Sequence, residues 1–241
     1  MDDADPLAAP TQLPSPTRPL LGLTILVVED SRLACDAMRL LCLRSGARIR
    51  RADCLRSARR HLQLYRPSAV VVDLGLPDGS GVDLIADLAA AHPRVPVILG
   101  TSGDDFGETA ALAAGADGFL AKPITSLAVF QSAVLSRLPP ERRPVGPYVL
   151  SDEEIQPDPV AFRDDMAHAA DVLSDQTNES DQMLDYVAQF LGGVARSAHD
   201  DVLARAAEGL AKTRAMGGPV ATDTARIAGL VQERLQQEGA I

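Results

Sequence analysis

The stretch Val70–Leu84, VVVDLGLPDGSGVDL, decides how the rest of the chain is read. It opens as a β-branched apolar run and closes on a carboxylate, Asp73. An apolar run with no alternation fits a strand buried on both faces, because neither side meets water. From residue 81 to 91 the spacing becomes helical, and it stops before Pro93.

Outward from this centre the two patterns alternate. LTILVVED (Leu23–Asp30) is a second apolar run, and it ends in two carboxylates. VPVILG (Val95–Gly100) and GFLA (Gly118–Ala121) are further strands, with a weaker one near Ala47–Arg51. Helical spacing covers 32–45, where Leu33, Ala37, Leu40 and Leu41 repeat and Gly46 stops the run. It returns over 55–65, over 105–114 with Gly115 as C-cap, and over 125–137, ended by Pro139-Pro140. Five strands alternating with five helices predict an α/β fold, a parallel doubly wound sheet with helices on both faces. The working site of such a sheet lies at the carboxyl ends of its strands.

Composition bounds the alternatives. The chain has 241 residues, 46% hydrophobic and 23% charged, which suits one or two soluble globular domains. No apolar run approaches a membrane span, and the acidic, proline-rich start is unlike a secretory signal, so a cytoplasmic setting is expected. Cys35, Cys42 and Cys54 are odd in number and form no CxxC or Cys/His cluster, which argues against a disulfide scaffold or a zinc site. Residues 1–20 hold five prolines and read as a disordered lead-in; 139–158 read as a linker. Beyond it, 159–241 read as an all-helical domain of three or four helices, opened by Asp158-Pro159 as N-cap and N1. Met183, Val187, Phe190, Leu191, Val194, Ala198, Val202, Ala206 and Leu210 form one apolar stripe, which Gly192-Gly193 is expected to split into two helices. Residues 139–241 carry 18 acidic against 9 basic side chains. That sign opposes a DNA-reading surface, which must displace phosphate counterions, so nucleic acid is not the expected partner.

The strand ends bring the chemistry together. Strand one ends in Glu29-Asp30, strand three in Asp73, strand four in Thr101, and strand five in Lys122-Pro123. Three crowded carboxylates repel one another, and a hard divalent cation such as Mg²⁺ relieves this. With positive charge nearby, Asp73 on the central strand is the best nucleophile toward a phosphoryl group; Lys122 and Thr101 are placed to hold its oxygens.

Residues 21–138 resemble the receiver domain of two-component response regulators. The resemblance rests on Glu29-Asp30, on Asp73 within VVVDLGLPDGSGVDL, on Thr101-Ser102 after VPVIL, and on Lys122-Pro123 after GFLA. It covers about half the chain. It implies a flavodoxin-like sheet of strand order 2-1-3-4-5. It implies that Asp73 takes a phosphoryl group from a sensor histidine kinase or a phosphotransfer protein, so that the chain is a phosphoacceptor with slow self-dephosphorylation rather than an enzyme. It further implies Mg²⁺ held by Asp30, Asp73 and the carbonyl of Gly75, with Glu29 acting through water, and a switch made of Thr101 and Phe119. Leu76 stands where methionine is frequent in the family, and Phe119 lacks the hydroxyl of the frequent tyrosine.

No effector signature appears after residue 140. The stripe suggests a helical protein-interaction or dimerisation module, hence a homodimer or a helical partner. The alternative is a transcriptional regulator with an unrecognised helical DNA-binding output. His199 lies in RSAHDDVLARAA, which lacks the residues expected after a phosphoaccepting histidine. The arginines between Arg39 and Arg66 are either a solvated face or a dock for the acidic C-terminal part.

Overall fold

A computed structural model describes residues 14–143, 151–174 and 181–237. Five parallel strands, β1 (Thr24–Val28), β2 (Arg48–Ala52), β3 (Ala69–Asp73), β4 (Val97–Ser102) and β5 (Gly118–Ala121), form one sheet in the order β2-β1-β3-β4-β5. Five helices connect them: α1 (Arg32–Ser45), α2 (Leu55–Leu64), α3 (Gly81–Ala90), α4 (Gly107–Ala113) and α5 (Leu127–Leu135). This is the α/β flavodoxin-like order expected from the sequence.

Side chains alternate across each strand, so one sheet makes two cores. Ile25, Val27, Val71 and Leu99 pack with Met38 and Leu41 of α1 and Phe130 and Val134 of α5. Leu26, Val28, Val72 and Ile98 pack on the other face with Leu84, Ile85 and Ala111. Register places Val72 beside Val28 and Asp73 beside Thr101, which levels the strand ends at one rim. Local capping fixes where helices begin: the Ser31, Ser80 and Ser126 hydroxyls accept from Ala34, Val82 and Val129 N–H. Helix α1 stops at Gly46, whose φ of 84° a side chain would resist.

Three details differ from the sequence reading. The lead-in is folded from Ser15 onward: Ser15 bridges Arg18, and Leu20 is fully buried in the α1–α5 core. Residues 1–13 lie outside the described residues. The linker is partly held against the receiver, since Ile155 N–H donates to Thr125 O and Leu127 N–H donates to Glu153 O at the loop before α5, and Ile155 is buried; residues 144–150 lie outside the described residues. Among the described residues the arginines between Arg39 and Arg66 form no common dock: Arg39 meets Asp36 of its own helix, Arg59 meets Asp87, and the acidic C-terminal part is met through Arg44, which pairs with Glu153.

The C-terminal part is α6 (Pro159–Ser174), α7 (Asp181–Ser197), α8 (Asp201–Ala215) and α9 (Ala221–Gln237). Among the described residues no helix is long and apolar enough to cross a membrane. Most of the apolar stripe is consumed within the chain: Val187, Leu191, Val194, Ala206 and Leu210 are buried against Met166, Ile227 and Val231, while Val202 stays exposed. It therefore supplies no argument for pairing between copies. Helix α7 also runs through Gly192-Gly193 unbroken. Burial of Leu191 and Val194 on either side outweighs the ~1 kcal/mol that each glycine costs a helix. The break falls at His199, with φ of 57°, and Asp200 caps α8 by accepting from Leu203 N–H.

Asp200 also receives Arg234 of α9 at 2.9 Å. Burial tends to raise its pKa, but the Arg234 hydrogen bond and charge prevail and hold the carboxyl below its usual range. A lowered folded pKa adds stability above the unfolded pKa that is lost as pH falls through the folded one. Asp200→Ala is expected to cost about 1–2 kcal/mol at neutral pH, read by urea unfolding, as for other lost caps. The deficit should shrink as pH falls through the folded carboxyl's pKa; an equal deficit at neutral pH and at pH 2 would contradict the ionic part of this account.

Candidate functional site

The rim formed by the strand ends carries a compact charged group. Glu29 and Asp30 follow β1, Asp73 ends β3, and Lys122 follows β5 across a cis peptide to Pro123. Lys122 Nζ lies 2.6 Å from Glu29 Oε2 and 3.0 Å from Asp73 Oδ2. Glu29, Asp30 and Asp73 each offer a carboxylate oxygen, all within 4.8 Å of one another. Glu29 Oε1 also accepts from Ser31 N–H at 3.2 Å. Glu29, Asp73 and Lys122 are almost wholly buried.

Electrostatics follow from this crowding. Burial, then the charge of Asp73, pushes the Glu29 and Asp30 carboxyls well above the usual carboxylate range. Burial alone would lower the Lys122 pKa, yet Asp73 and Glu29 outweigh it and hold the ammonium above its ordinary value. Among the described residues, Asp30 Oδ1 is buried with no hydrogen-bond partner. An orphaned acceptor beside two further carboxylates is a donor set of the kind a hard divalent cation takes. The residues present therefore fit such an ion.

Helix α7 roofs the group. Tyr186 hydroxyl donates to Asp30 Oδ2 at 2.6 Å. Gln189, Phe190, Gly193, Val194 and Ser197 line the same pocket as Asp73, Gly75 and Lys122. The loop after β3 makes a two-residue antiparallel pair, Gly75–Leu76 with Gly79–Ser80. A Cβ on Gly75 would collide with the Gln189 amide, so glycine there is what lets α7 close down. None of these α7 contacts was foreseen from the sequence.

Comparison with known proteins bears on the same residues. Residues 25–133 match the family model described as the response regulator receiver domain.

This part of the chain is a response regulator receiver domain.

Among curated relatives, the KDP operon transcriptional regulatory protein KdpE of Escherichia coli (strain K12) is 32% identical over 99 residues, 41% of this chain and 44% of that protein. The virulence transcriptional regulatory protein PhoP of Salmonella typhi is 32% identical over 100 residues, 41% of this chain and 45% of that protein. The chain thus spans less than half the length of the curated relatives it matches. Among solved structures, the receiver domain of sensor histidine kinase PA1611 from Pseudomonas aeruginosa PAO1, with magnesium in its active site cleft, is 26% identical at TM-score 0.44, covering 48% of this chain and 97% of that one. The signal receiver domain of a signal transduction histidine kinase from Syntrophus aciditrophicus is 26% identical at TM-score 0.43, covering 47% and 87%.

Within the receiver, five of the seven site residues read from the sequence meet at one pocket: Glu29, Asp30, Asp73, Gly75 and Lys122. Thr101 and Phe119 do not line it. Thr101 is buried and its hydroxyl donates to Leu120 O at 2.7 Å. The cause is the pleat of β4, which turns Thr101 to the α1–α5 face and brings its neighbour Ser102 to the pocket. Phe119 packs with the α2–α4 core, against Gly100 and Gly107. Ser31, Ala34, Ser102 and Gly103 are the receiver lining residues that the sequence reading did not place in the site, and alternation from Val97 onward is the signal that finds Ser102.

Lys122→Met leaves three buried carboxylates with no ammonium among them. Losing one partner of such a buried ionic group costs about 3–5 kcal/mol. Urea unfolding in divalent-free neutral buffer should show a loss of this size; a loss under 1 kcal/mol would mean that Lys122 does not balance the group.

Proposed function

We propose that Asp73 is the phosphoacceptor of this receiver and that its occupancy controls the helical C-terminal part. The observation that carries the reading is the placement of Asp73 at the rim, 3.0 Å from the Lys122 ammonium and beside Glu29 and Asp30. An Asp73 oxygen would attack the phosphorus of a phosphoimidazole on a sensor kinase or phosphotransfer protein. The P–N bond breaks as the P–O bond forms, and the departing imidazole nitrogen keeps the electron pair and later gains a proton. Lys122 would offset charge on the transferring oxygens. Asp30, Asp73, the Gly75 carbonyl and, through water, Glu29 would hold Mg²⁺. The ion supplies positive charge at the transferring group and relieves the repulsion among the carboxylates.

The switch follows from where Thr101 now sits. To reach a phosphoryl oxygen on Asp73 its hydroxyl must leave Leu120 O, moving the β4–α4 loop inward and freeing space beside β5 for Phe119. That is a population shift of the α4–β5–α5 surface, driven by contacts that only the phosphorylated state makes. The chain then acts as a cytoplasmic signalling protein rather than an enzyme with a turned-over substrate, and slow loss of the phosphoryl group to water resets it.

For the output, we favour a helical protein-interaction or dimerisation module. Residues 139–241 carry 18 acidic against 9 basic side chains, and the helices already bind a protein surface, the receiver of the same chain, through Tyr186 and Asp165. A second reading, a DNA-binding transcriptional output, is favoured by the names of the curated relatives, which are transcriptional regulatory proteins. Against them, the low expectation for nucleic acid gains no support.

Phosphoryl incorporation from acetyl phosphate with Mg²⁺, read by intact mass, should add one phosphoryl group to the wild type and none to Asp73→Asn. Equal incorporation in the variant would remove Asp73 as the acceptor. Retardation of random duplex DNA at moderate salt by the phosphorylated chain would favour the second output.

A further inference from the structure

The acceptor pocket is closed by this chain's own C-terminal helices, through the groups that its proposed ligands need. Tyr186 hydroxyl occupies Asp30 Oδ2. The Gln189 amide abuts the Gly75 backbone. The remaining space is about 20 Å³, room for about one water and too small for a phosphoryl group. Helix α6 adds a second anchor beside it. Asp165 Oδ2 accepts from the Ser31 hydroxyl at 2.7 Å and from Leu33 N–H at 3.1 Å, and Asp165 Oδ1 accepts from Arg32 N–H at 2.6 Å. A carboxylate supplied by one domain thus caps the first turn of α1 in the other, where orphan N–H groups and the positive end of the helix favour it. Leu33 of that turn is buried in the bundle's own core.

We propose that the helical bundle is an internal blocker of its receiver: docking of α6 and α7 on the rim and occupation of the pocket by cation plus phosphoryl group exclude each other. This rests on the reading of Asp73 as phosphoacceptor. A phosphodonor protein must reach Asp73 in line, and α7 stands where it would approach, so transfer proceeds from the undocked form. By reciprocity, a filled pocket drives the bundle off by the same factor by which docking weakens filling. If nine molecules in ten are docked, apparent affinity for the pocket ligand falls tenfold.

The test uses the full chain with Mg²⁺ and beryllofluoride, a phosphoryl mimic. Binding is read by fluorine NMR, and release by hydrogen exchange of the backbone amides of α6 and α7. Tyr186→Phe keeps the ring and removes the hydroxyl from Asp30; Asp165→Asn keeps the shape and removes the charge from α1. In the wild type, saturating beryllofluoride should speed exchange in α6 and α7 at least tenfold while β1 and β3 stay protected. The double variant should exchange fast there without ligand and bind beryllofluoride about tenfold tighter; binding by the double variant alone would also support the blocker. Bound beryllofluoride with unchanged protection of α6 and α7 in the wild type overturns the blocker and leaves the acceptor reading intact. If neither form binds although the double variant exchanges fast, the acceptor reading itself fails. The wild-type exchange measurement decides the matter even where a variant does not fold.

Discussion

The ammonium of Lys122, held between Glu29 and Asp73, is the interaction on which the rim depends. Three carboxylates and one ammonium in a buried space leave an excess of acceptors and negative charge. Desolvation makes that excess costly, and every donor nearby is drawn in to reduce it. Ser31 N–H serves Glu29, and the Tyr186 hydroxyl serves Asp30. Among the described residues, Asp30 Oδ1 still has no donor. A site in this condition accepts any group that brings positive charge or a donated hydrogen, whether a cation from solution or a hydroxyl from another helix. The same unmet demand thus accounts for the fit to Mg²⁺ and for the hold that α7 has on the pocket.

The start of α1 shares in this economy. Ser31 caps its own helix by accepting from Ala34 N–H, and its hydroxyl hydrogen goes to Asp165 of α6. The Asp165 carboxyl is pushed up by burial, while the Arg32 and Leu33 N–H groups and the Ser31 hydroxyl favour its charged form. One helix terminus therefore sits at the edge of the carboxylate pocket and is also the seat of the bundle. Any movement of the loop between β1 and α1 is felt on both sides. Coupling between pocket and bundle needs no long chain of intermediates, because the two meet at consecutive residues, Glu29 through Leu33.

What the sequence made legible was whatever is encoded locally. The strands show as apolar runs because they are buried on both faces, and the rim residues show because each stands immediately after such a run. Glu29, Asp30, Asp73 and Lys122 could be placed together from topology alone. Thr101 stands apart for a physical reason: a residue at a strand end has two faces to choose from, and the pleat turns Thr101 to the side away from the pocket, where its hydroxyl donates to Leu120 O. The roof was invisible for a different reason. Tyr186 and Asp165 lie 156 and 134 positions from the residues they bond. Nothing local in a tyrosine or an aspartate on an amphipathic helix names such a partner. The apolar stripe was legible as a stripe, but not whether its cover would be another copy or the neighbouring helices of the same chain.

The glycine pair of α7 shows how tertiary contact overrides a correct local rule. Two adjacent glycines weaken a helix in isolation, and breaking there would leave two short helices of marginal stability. In the bundle the flanking Leu191 and Val194 are buried, so the helix is held on both sides of the pair. Gly192 faces Ala207 of α8, and Gly193 lines the carboxylate pocket, where an added Cβ would meet nothing within 4 Å. A larger residue at position 193 would occupy the little space left beneath the roof. The pair is therefore best understood from the two surfaces it separates, one packed against the bundle and one turned to the rim, and continuity of α7 through it is what delivers Gln189 and Ser197 to a single pocket.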